Sequence, residues 1–303
     1  GYTYTMNLNT SFTGDDNLYV RLKAGAQGGV WHDSKPHYHI DTKSNSDAFK
    51  VDKMWYTFPI GESVTAIVGP RIENYYMYVT PSIYSPGALK SFKLGGNSNF
   101  GASTDVGAGL KWETESGFAI ATNIVDKNAD STGLMGKNSV SKWDTQIAYT
   151  QPRYHASVTL SNAQNWTSQS YNATSLAAAM KGSDGDTTGY AFRGYWRPLE
   201  SGTATPEISV GYDIKSADTP AAGAAKEADS YMVGLTWRDM FQSDDRIGLA
   251  VTQPLKVTEM QGGGATGEVD PFVWEAYYSF KPNDSMEVRP AIFGGTDVLA
   301  DTG

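Results

Sequence analysis

The sequence predicts an all-β fold, a transmembrane antiparallel up-and-down β-barrel, and three observations carry that expectation. Apolar and polar residues alternate with a period of two in segments of about ten residues, the length a tilted strand needs to cross a bilayer. The segments are joined by links that are short and long in turn. No stretch approaches the roughly 18 to 20 consecutive apolar residues of a membrane helix, so a chain of this kind can cross a bilayer only as a closed barrel.

The first segment is close to ideal, with Tyr2, Tyr4, Met6, Leu8 and Phe12 on one face and Thr3, Thr5, Asn7, Asn9 and Ser11 on the other. Next, Leu18, Val20, Leu22, Ala24 and Ala26 oppose Tyr19, Arg21, Lys23 and Gly25. Less regular strands follow near 49–60 and 64–69; the first changes phase around Lys53 and Met54, which fits either a bulge or a face turned to a partner subunit. The apolar faces then run Val106 to Trp112, Phe118 to Ile124, Trp143 to Tyr149 and Tyr154 to Leu160. They continue with Tyr190 to Trp196, Ile208 to Ile214, Tyr231 to Trp237 and Ile247 to Val251. Phe272 to Phe280 and Met286 to Ile292 complete fourteen.

With strand ends set by the alternation, short and long links alternate without exception, the longest being the 34 residues from Pro70 to Ser103. Outer-membrane barrels have this property because their periplasmic turns are short and their extracellular loops long. A first short link makes the first visible strand descend from the extracellular side and the last ascend to it. One further strand at each end would return both termini to the periplasm, so fourteen visible strands of an expected sixteen are read here, and residues 1–303 as a barrel fragment, the alternative being a complete fourteen-strand barrel. Aromatic residues gather at strand ends, among them Trp112, Trp143, Tyr154, Trp196 and Trp237, as in the two aromatic girdles of a barrel.

Composition agrees with this reading. The chain holds 32 Gly and 18 Tyr but only 19% charged residues, below the roughly 25% of a soluble domain. Its mean hydropathy of −0.41 is compatible with a barrel, where only alternate residues meet lipid. With no cysteine, disulfides, thiolate nucleophiles and cysteine-bound metals are excluded. A net charge of −9 argues against a nucleic-acid partner, whose phosphates demand a basic face.

The run FKVDKMWYTFPIGESVTAIVGPRIENYYMYVTPSIYSP from Phe49 to Pro86, with GAGLKWETESGFAIATN from Gly107 to Asn123, resembles the cyanobacterial outer-membrane porins of the Som or iron-uptake type. These are related to the OprB-type carbohydrate-selective porins. The resemblance implies a sixteen-stranded homotrimeric barrel in the outer membrane, in contact with its lipid, that passes small solutes and inorganic ions without a cofactor. It also implies anchoring to the cell wall through an N-terminal S-layer-homology domain, which is absent from this sequence.

Loops beyond about 15 residues inside a compact domain are usually functional or disordered. The Pro70–Ser103 link is therefore expected to fold into the lumen and narrow it, with charge from Arg71 and Glu73 and bulk from Tyr75, Tyr76 and Tyr78. The opposing expectation is an extracellular cap or a latch onto a neighbouring subunit. If the apolar faces meet lipid, the other faces line the lumen and bring Arg21, Lys23, Lys111, Glu113, Asp144, Arg193, Arg197, Asp213, Glu275, Glu287 and Arg289 to the pore. Both signs occur in similar numbers, so strong ion selectivity does not follow. His32, His37 and His39 share one long loop and are the candidate metal ligands; the favoured reading is a polar loop without a metal, since nothing fixes a second shell. The short helical signal Thr174–Met180 is assigned to loop packing.

The leading functional expectation is a passive diffusion channel rather than an enzyme. A barrel enzyme such as a lipid hydrolase would need a nucleophile and base presented together. Around His155, the one strand histidine, no such set can be assembled. A soluble, secreted β-rich carbohydrate-binding module is the third reading, which the alternation of links disfavours.

Overall fold

The computed structural model describes residues 1–26, 36–40, 45–79, 82–96, 99, 105–169 and 171–298. It is an all-β meander in which each strand from β1 to β14 pairs antiparallel with its sequence neighbour. The strands are β1 (Thr3–Thr10), β2 (Asn17–Gly25), β3 (Lys50–Ile60), β4 (Val64–Ile72), β5 (Asp105–Glu113), β6 (Phe118–Asp126) and β7 (Ser141–Gln151). They continue as β8 (Tyr154–Gln164), β9 (Asp186–Trp196), β10 (Glu207–Ala217), β11 (Ala225–Arg238), β12 (Arg246–Met260) and β13 (Phe272–Asn283). Both β14 (Met286–Val288) and β15 (Ala291–Thr296) pair with β13, so they form one last strand interrupted at Arg289 and Pro290. Proline has no N–H for the ladder, yet its carbonyl still accepts from the Tyr278 N–H at 3.2 Å and keeps the two pieces in line. Among the described residues β1 and β15 are not paired with each other; they are the two edges of the sheet.

Links 11–16, 61–63, 114–117, 152–153, 197–206, 239–245 and 284–285 lie at one end of the sheet, and the remaining links at the other. The expected strict alternation in length fails at one far-end link: 218–224 has 7 residues, fewer than the 10 of 197–206 and no more than the 7 of 239–245, both at the short-turn end. The reason lies in strand length: β11 and β12 extend to 14 and 15 residues, converting into ladder what the alternation assigns to loop. The last strand likewise runs on through Gly294 to Thr296, where a loop is expected. Helix Ser175–Ala179 is the expected loop helix, capped by the Thr174 hydroxyl accepting from the Ala177 N–H, and it packs on Leu255 and Val257.

The phase change in β3 is a bulge. Arg21 pairs with Lys53 but Leu22 pairs with Val51, leaving Asp52 as the extra residue. Val51 and Met54 therefore both join the outer face, while Lys53 and Trp55 turn inward and are buried.

Apart from further register shifts in β4 and at the far ends of β11 and β12, the two faces of the other strands separate cleanly. Leu110, Ile208 and Val233 are exposed on the outer face and Leu18 is half-buried there, whereas Asp144, Arg193, Asp213 and Glu275, of opposite parity, are buried. That is the inverse of a water-soluble sheet and the pattern of a lipid-facing one. At the short-turn end, outward Phe118, Tyr149 and Tyr154 form a continuous ring contact, with centroid spacings of 4.6 and 6.1 Å, and Tyr154 pairs in register with Trp196. Amphipathic rings at one level favour a headgroup boundary.

Candidate functional site: a chain segment held inside the sheet

The segment after β4 runs along the inward side of the sheet, and the inward charges grip it. Asn74 Nδ2 and Tyr78 Oη donate to Asp144 Oδ2 on β7 at 2.6 and 2.8 Å, and the Val79 N–H donates to Gln146 at 3.1 Å. The Ile83 and Tyr84 N–H groups share the Ser209 hydroxyl on β10, each at 3.2 Å. Arg193 on β9 donates from Nε to the Leu94 carbonyl at 2.8 Å while its Nη1 and Nη2 make a two-pronged pair with Asp213 at 3.0 Å. Arg289 donates to the Ser85 hydroxyl and the Pro86 carbonyl.

The tightest anchorage is at Glu275 on β13, which is fully buried. Its Oε1 accepts from Tyr84 Oη at 2.9 Å and the Gly87 N–H at 2.7 Å; its Oε2 accepts from the Ala88 and Leu89 N–H groups, both at 3.0 Å. A carboxylate with four such donors is well compensated for its loss of water, because bonds to a charged acceptor are about twice as strong as neutral ones. Apolar contacts complete the seat: Tyr84, Leu89 and Phe92 of the segment cluster with Met232, Val273 and Tyr277 of the wall.

A backbone approach that only glycine permits lets the segment lie so close: a Cβ on Gly211 of β10 would sit 1.8 Å from the Gly95 carbonyl oxygen, while Gly109 of β5 leaves room for the Met77 side chain, whose Cε would lie 2.1 Å from a Cβ there. The inward glycines are thus sockets for the segment.

Of the residues expected to narrow the lumen, Glu73, Tyr75, Tyr76 and Tyr78 are brought together and Arg71 is not. Glu73 pairs with the buried Lys53 and accepts from the Tyr75 hydroxyl, while Tyr75 and Tyr76 stack at 4.9 Å with Lys53 over the Tyr76 ring at 4.9 Å. Tyr78 is buried on Asp144. A register shift in β4 between Gly69 and Ile72 instead leaves Arg71 exposed, across from the outward Met54, with its Nε on the Asp52 carbonyl.

The expected lining charges also divide. Asp144, Arg193, Asp213 and Glu275 are buried beneath the segment, and half-buried Arg289 reaches it while pairing with exposed Glu287. Arg21, Lys23, Lys111 and Glu113 keep solvent contact, with Lys111 and Glu113 paired at 2.7 Å. Arg197 lies beyond the end of β9, over the Tyr195 ring at 5.4 Å. Lys53, Lys142, Gln146, Ser209 and Tyr84 are absent from the sequence-based set. Lys142 and Gln146 share the parity of Asp144 and were legible; Lys53 was hidden by the bulge.

His32 lies outside the described residues. His37 and His39 are buried against the segment, where the His39 carbonyl accepts from the Lys90 N–H at 2.9 Å and the His39 ring meets Tyr171 edge-on at 5.5 Å. Among the described residues no group of three or more His, Cys, Asp or Glu is placed to hold a metal. His155 sits between the Thr150 and Ser157 hydroxyls at 2.8 and 2.9 Å, stacked on Tyr195.

The antiparallel meander superposes on solved outer-membrane proteins over nearly its whole length. Pseudomonas putida OprB superposes with a TM-score of 0.65 at 11% identity, over 98% of this chain and 83% of that one. Its fold is that of the outer-membrane porins. OmpT, an outer membrane protein of Vibrio cholerae solved in a trimer form, gives a TM-score of 0.59 at 10% identity, over 97% and 80% of the chains. An anion-selective porin from Comamonas acidovorans gives 0.56 at 11%, over 97% and 76%. In sequence, an uncharacterized protein of the cyanobacterium Synechocystis sp. (strain ATCC 27184 / PCC 6803 / Kazusa) is 23% identical over 96% of this chain, which spans 59% of that relative's length. No family model matches.

Proposed function

We propose that the chain forms the wall of a passive outer-membrane channel for small hydrophilic solutes and inorganic ions, and that the 73–96 segment sets its narrowest part. The observation that carries this reading is the double inversion of the sheet. Its outward face is apolar, and its inward face is polar and bonded to a chain segment at Lys53, Asp144, Ser209, Arg193, Glu275 and Arg289. Large barrels leave an aqueous interior that must be narrowed to be selective, and fixed charges beside rigid rings supply both field and bulk. Glu73, Tyr75, Tyr76 and Tyr78 are the proposed narrowing residues, with Arg71 outside that set. The porin fold and the trimer form of one neighbour support a homotrimer in contact with outer-membrane lipid.

The test is reconstitution of the detergent-purified chain into planar bilayers. Discrete, ohmic conductance steps are expected, and removal of residues 85–95 should enlarge them. A protein that stays soluble without detergent and gives no steps would overturn the channel. Unchanged steps with dissociating trimers after the deletion would make the segment a subunit latch.

A further inference from the structure

Below the turn that carries Tyr76 and Met77, on the short-turn side of the segment, the inward face holds a cleft of about 290 Å³ that no anchoring contact uses. Its wall is aromatic. Trp55 lies 4.5 Å from Tyr19 and 4.9 Å from Tyr76 between ring centroids. Trp55 and Tyr19 are buried, but Tyr76 is 44% exposed and offers ring surface. Thr57, Thr65 and Lys111 bring polar groups to the same cleft.

Cations flank it. The Arg21 guanidinium lies 5.7 Å from the Tyr19 ring centre and donates from Nη2 to the Tyr76 hydroxyl at 3.3 Å. Lys53 lies over Tyr76, and Arg21, Lys23 and Lys93 are all within electrostatic reach of its ammonium. Among the described residues the acids facing this group are Glu73, bound to Lys53, Glu113, bound to Lys111, and Asp52. With the Lys53–Glu73 and Lys111–Glu113 pairs set aside, Arg21, Lys23 and Lys93 stand against Asp52 among the described residues, a local excess of positive charge in a chain whose net charge is −9.

We propose that this cleft is an in-pore binding site for small organic anions with a flat ring, the ring lying on Tyr76 and the anionic group drawn between Arg21 and Lys111. The proposal rests on the channel reading. Aromatic surface holds the ring face, and the surrounding cations supply the charge selection that a neutral ring lacks. The cleft volume fits one ring of six atoms with its substituent and a few waters, since water occupies about 30 Å³ each.

The experiment uses the full chain in planar bilayers with benzoate as probe, and acetate and glucose as comparators. Benzoate should reduce the ion current saturably. Tyr76→Ala, a change at an exposed ring, should raise its half-blocking concentration by roughly tenfold, and Arg21→Gln should raise it too while leaving conducting channels. Equal block by glucose would make the cleft a neutral-sugar platform and overturn the proposal. Equal block by acetate would reduce it to charge alone, and block insensitive to Tyr76→Ala would place benzoate elsewhere; either also overturns it. Conducting channels without benzoate block refute this site but not the channel, whereas absence of conductance removes both.

Discussion

Glu275→Gln is the substitution that most directly asks whether the inner segment is held by the wall. The amide replaces one carboxylate oxygen by an NH₂, which cannot accept. In either orientation two of the four donors, Tyr84 Oη with the Gly87 N–H or the Ala88 with the Leu89 N–H, face another donor. Two bonds to a charged acceptor at about 1.5 kcal/mol each, the low end for such bonds, give about 3 kcal/mol against the seated position. By the rule of tenfold per 1.4 kcal/mol, that shifts the local equilibrium by roughly a hundredfold. The Ser209 and Arg289 anchors at residues 83–86 and the Arg193 anchor at Leu94 are untouched, so the arc from Gly87 to Leu89 should lift while its flanks stay in place. Single-channel recording should show larger, noisier steps, and a cysteine placed at Ala88 should react faster with a water-soluble maleimide. Glu113→Gln is the matched control: it removes the same charge from the inward face and touches no segment bond. If Glu275→Gln matches Glu113→Gln in conductance, noise and labelling, Glu275 does not hold the segment and the anchoring argument fails.

Gly211→Val should destabilise by about 1–3 kcal/mol or displace the segment, because its Cβ would lie 1.8 Å from the Gly95 carbonyl oxygen; thermal unfolding in detergent separates the first outcome and conductance the second. Arg21→Glu should lower the local anion concentration roughly threefold, from a two-charge change acting through partly screened water. Arg71→Glu, exposed and across from outward Met54, should leave the reversal potential nearly unmoved, and equal shifts from the two would reject the placement. Asp16 accepts from the Ser11 hydroxyl at 2.5 Å, the Tyr56 hydroxyl at 2.5 Å and the Thr13 N–H at 2.8 Å, bonds that hold its carboxyl well below the usual carboxylate range. A lowered folded value gives stability that is complete above the unfolded value near 3.9 and is lost as pH falls through the folded one. The melting-temperature difference between wild type and Asp16→Ala should therefore be constant above about pH 5 and shrink below about pH 4. A difference independent of pH would show that the carboxylate charge is not involved.

The meander was legible because its signal is redundant. The strands from β5 to β10 and β13 repeat the same two-residue alternation, β11 and β12 do so up to the register shifts at their far ends, and one buried face forbids a one-residue slip. What escaped were places where a single residue breaks the period. Asp52 adds one residue to β3, which moves Lys53 inward and leaves Val51 and Met54 on the same outer face. The shift between Gly69 and Ile72 does the same to Arg71. Such bulges leave two-sided patterns in sequence, and here the ambiguity between bulge and subunit face at Lys53 was resolved only by the register of β2.

The inner segment was less legible for a different reason. Alternation states which side of the sheet a charge is on, but not whether water or chain meets it there. Glu113 and Glu275 have the same parity logic and the same chemistry, yet Glu113 is exposed and Glu275 is fully buried under four donors. The difference comes from residues far away in sequence. Gly87 sits against the Tyr277 ring, where a Cβ would be 2.7 Å from Cδ1, and Gly211 admits the Gly95 carbonyl. A glycine of inward parity in an otherwise bulky strand is thus the sequence trace of a close neighbour, side chain or backbone, on that face. On β5, β9, β10, β11 and β12 the inward Gly109, Gly189, Gly211, Gly234 and Gly248 meet Met77, Asn99, Gly95, Tyr84 and Tyr277 respectively. Four of these partners belong to the 73–104 link, so these glycines trace its path along the wall. The charges near that path, Asp144, Arg193, Asp213 and Glu275, are the buried ones; Arg21 and Lys111 retain water and lie beside the aromatic cleft.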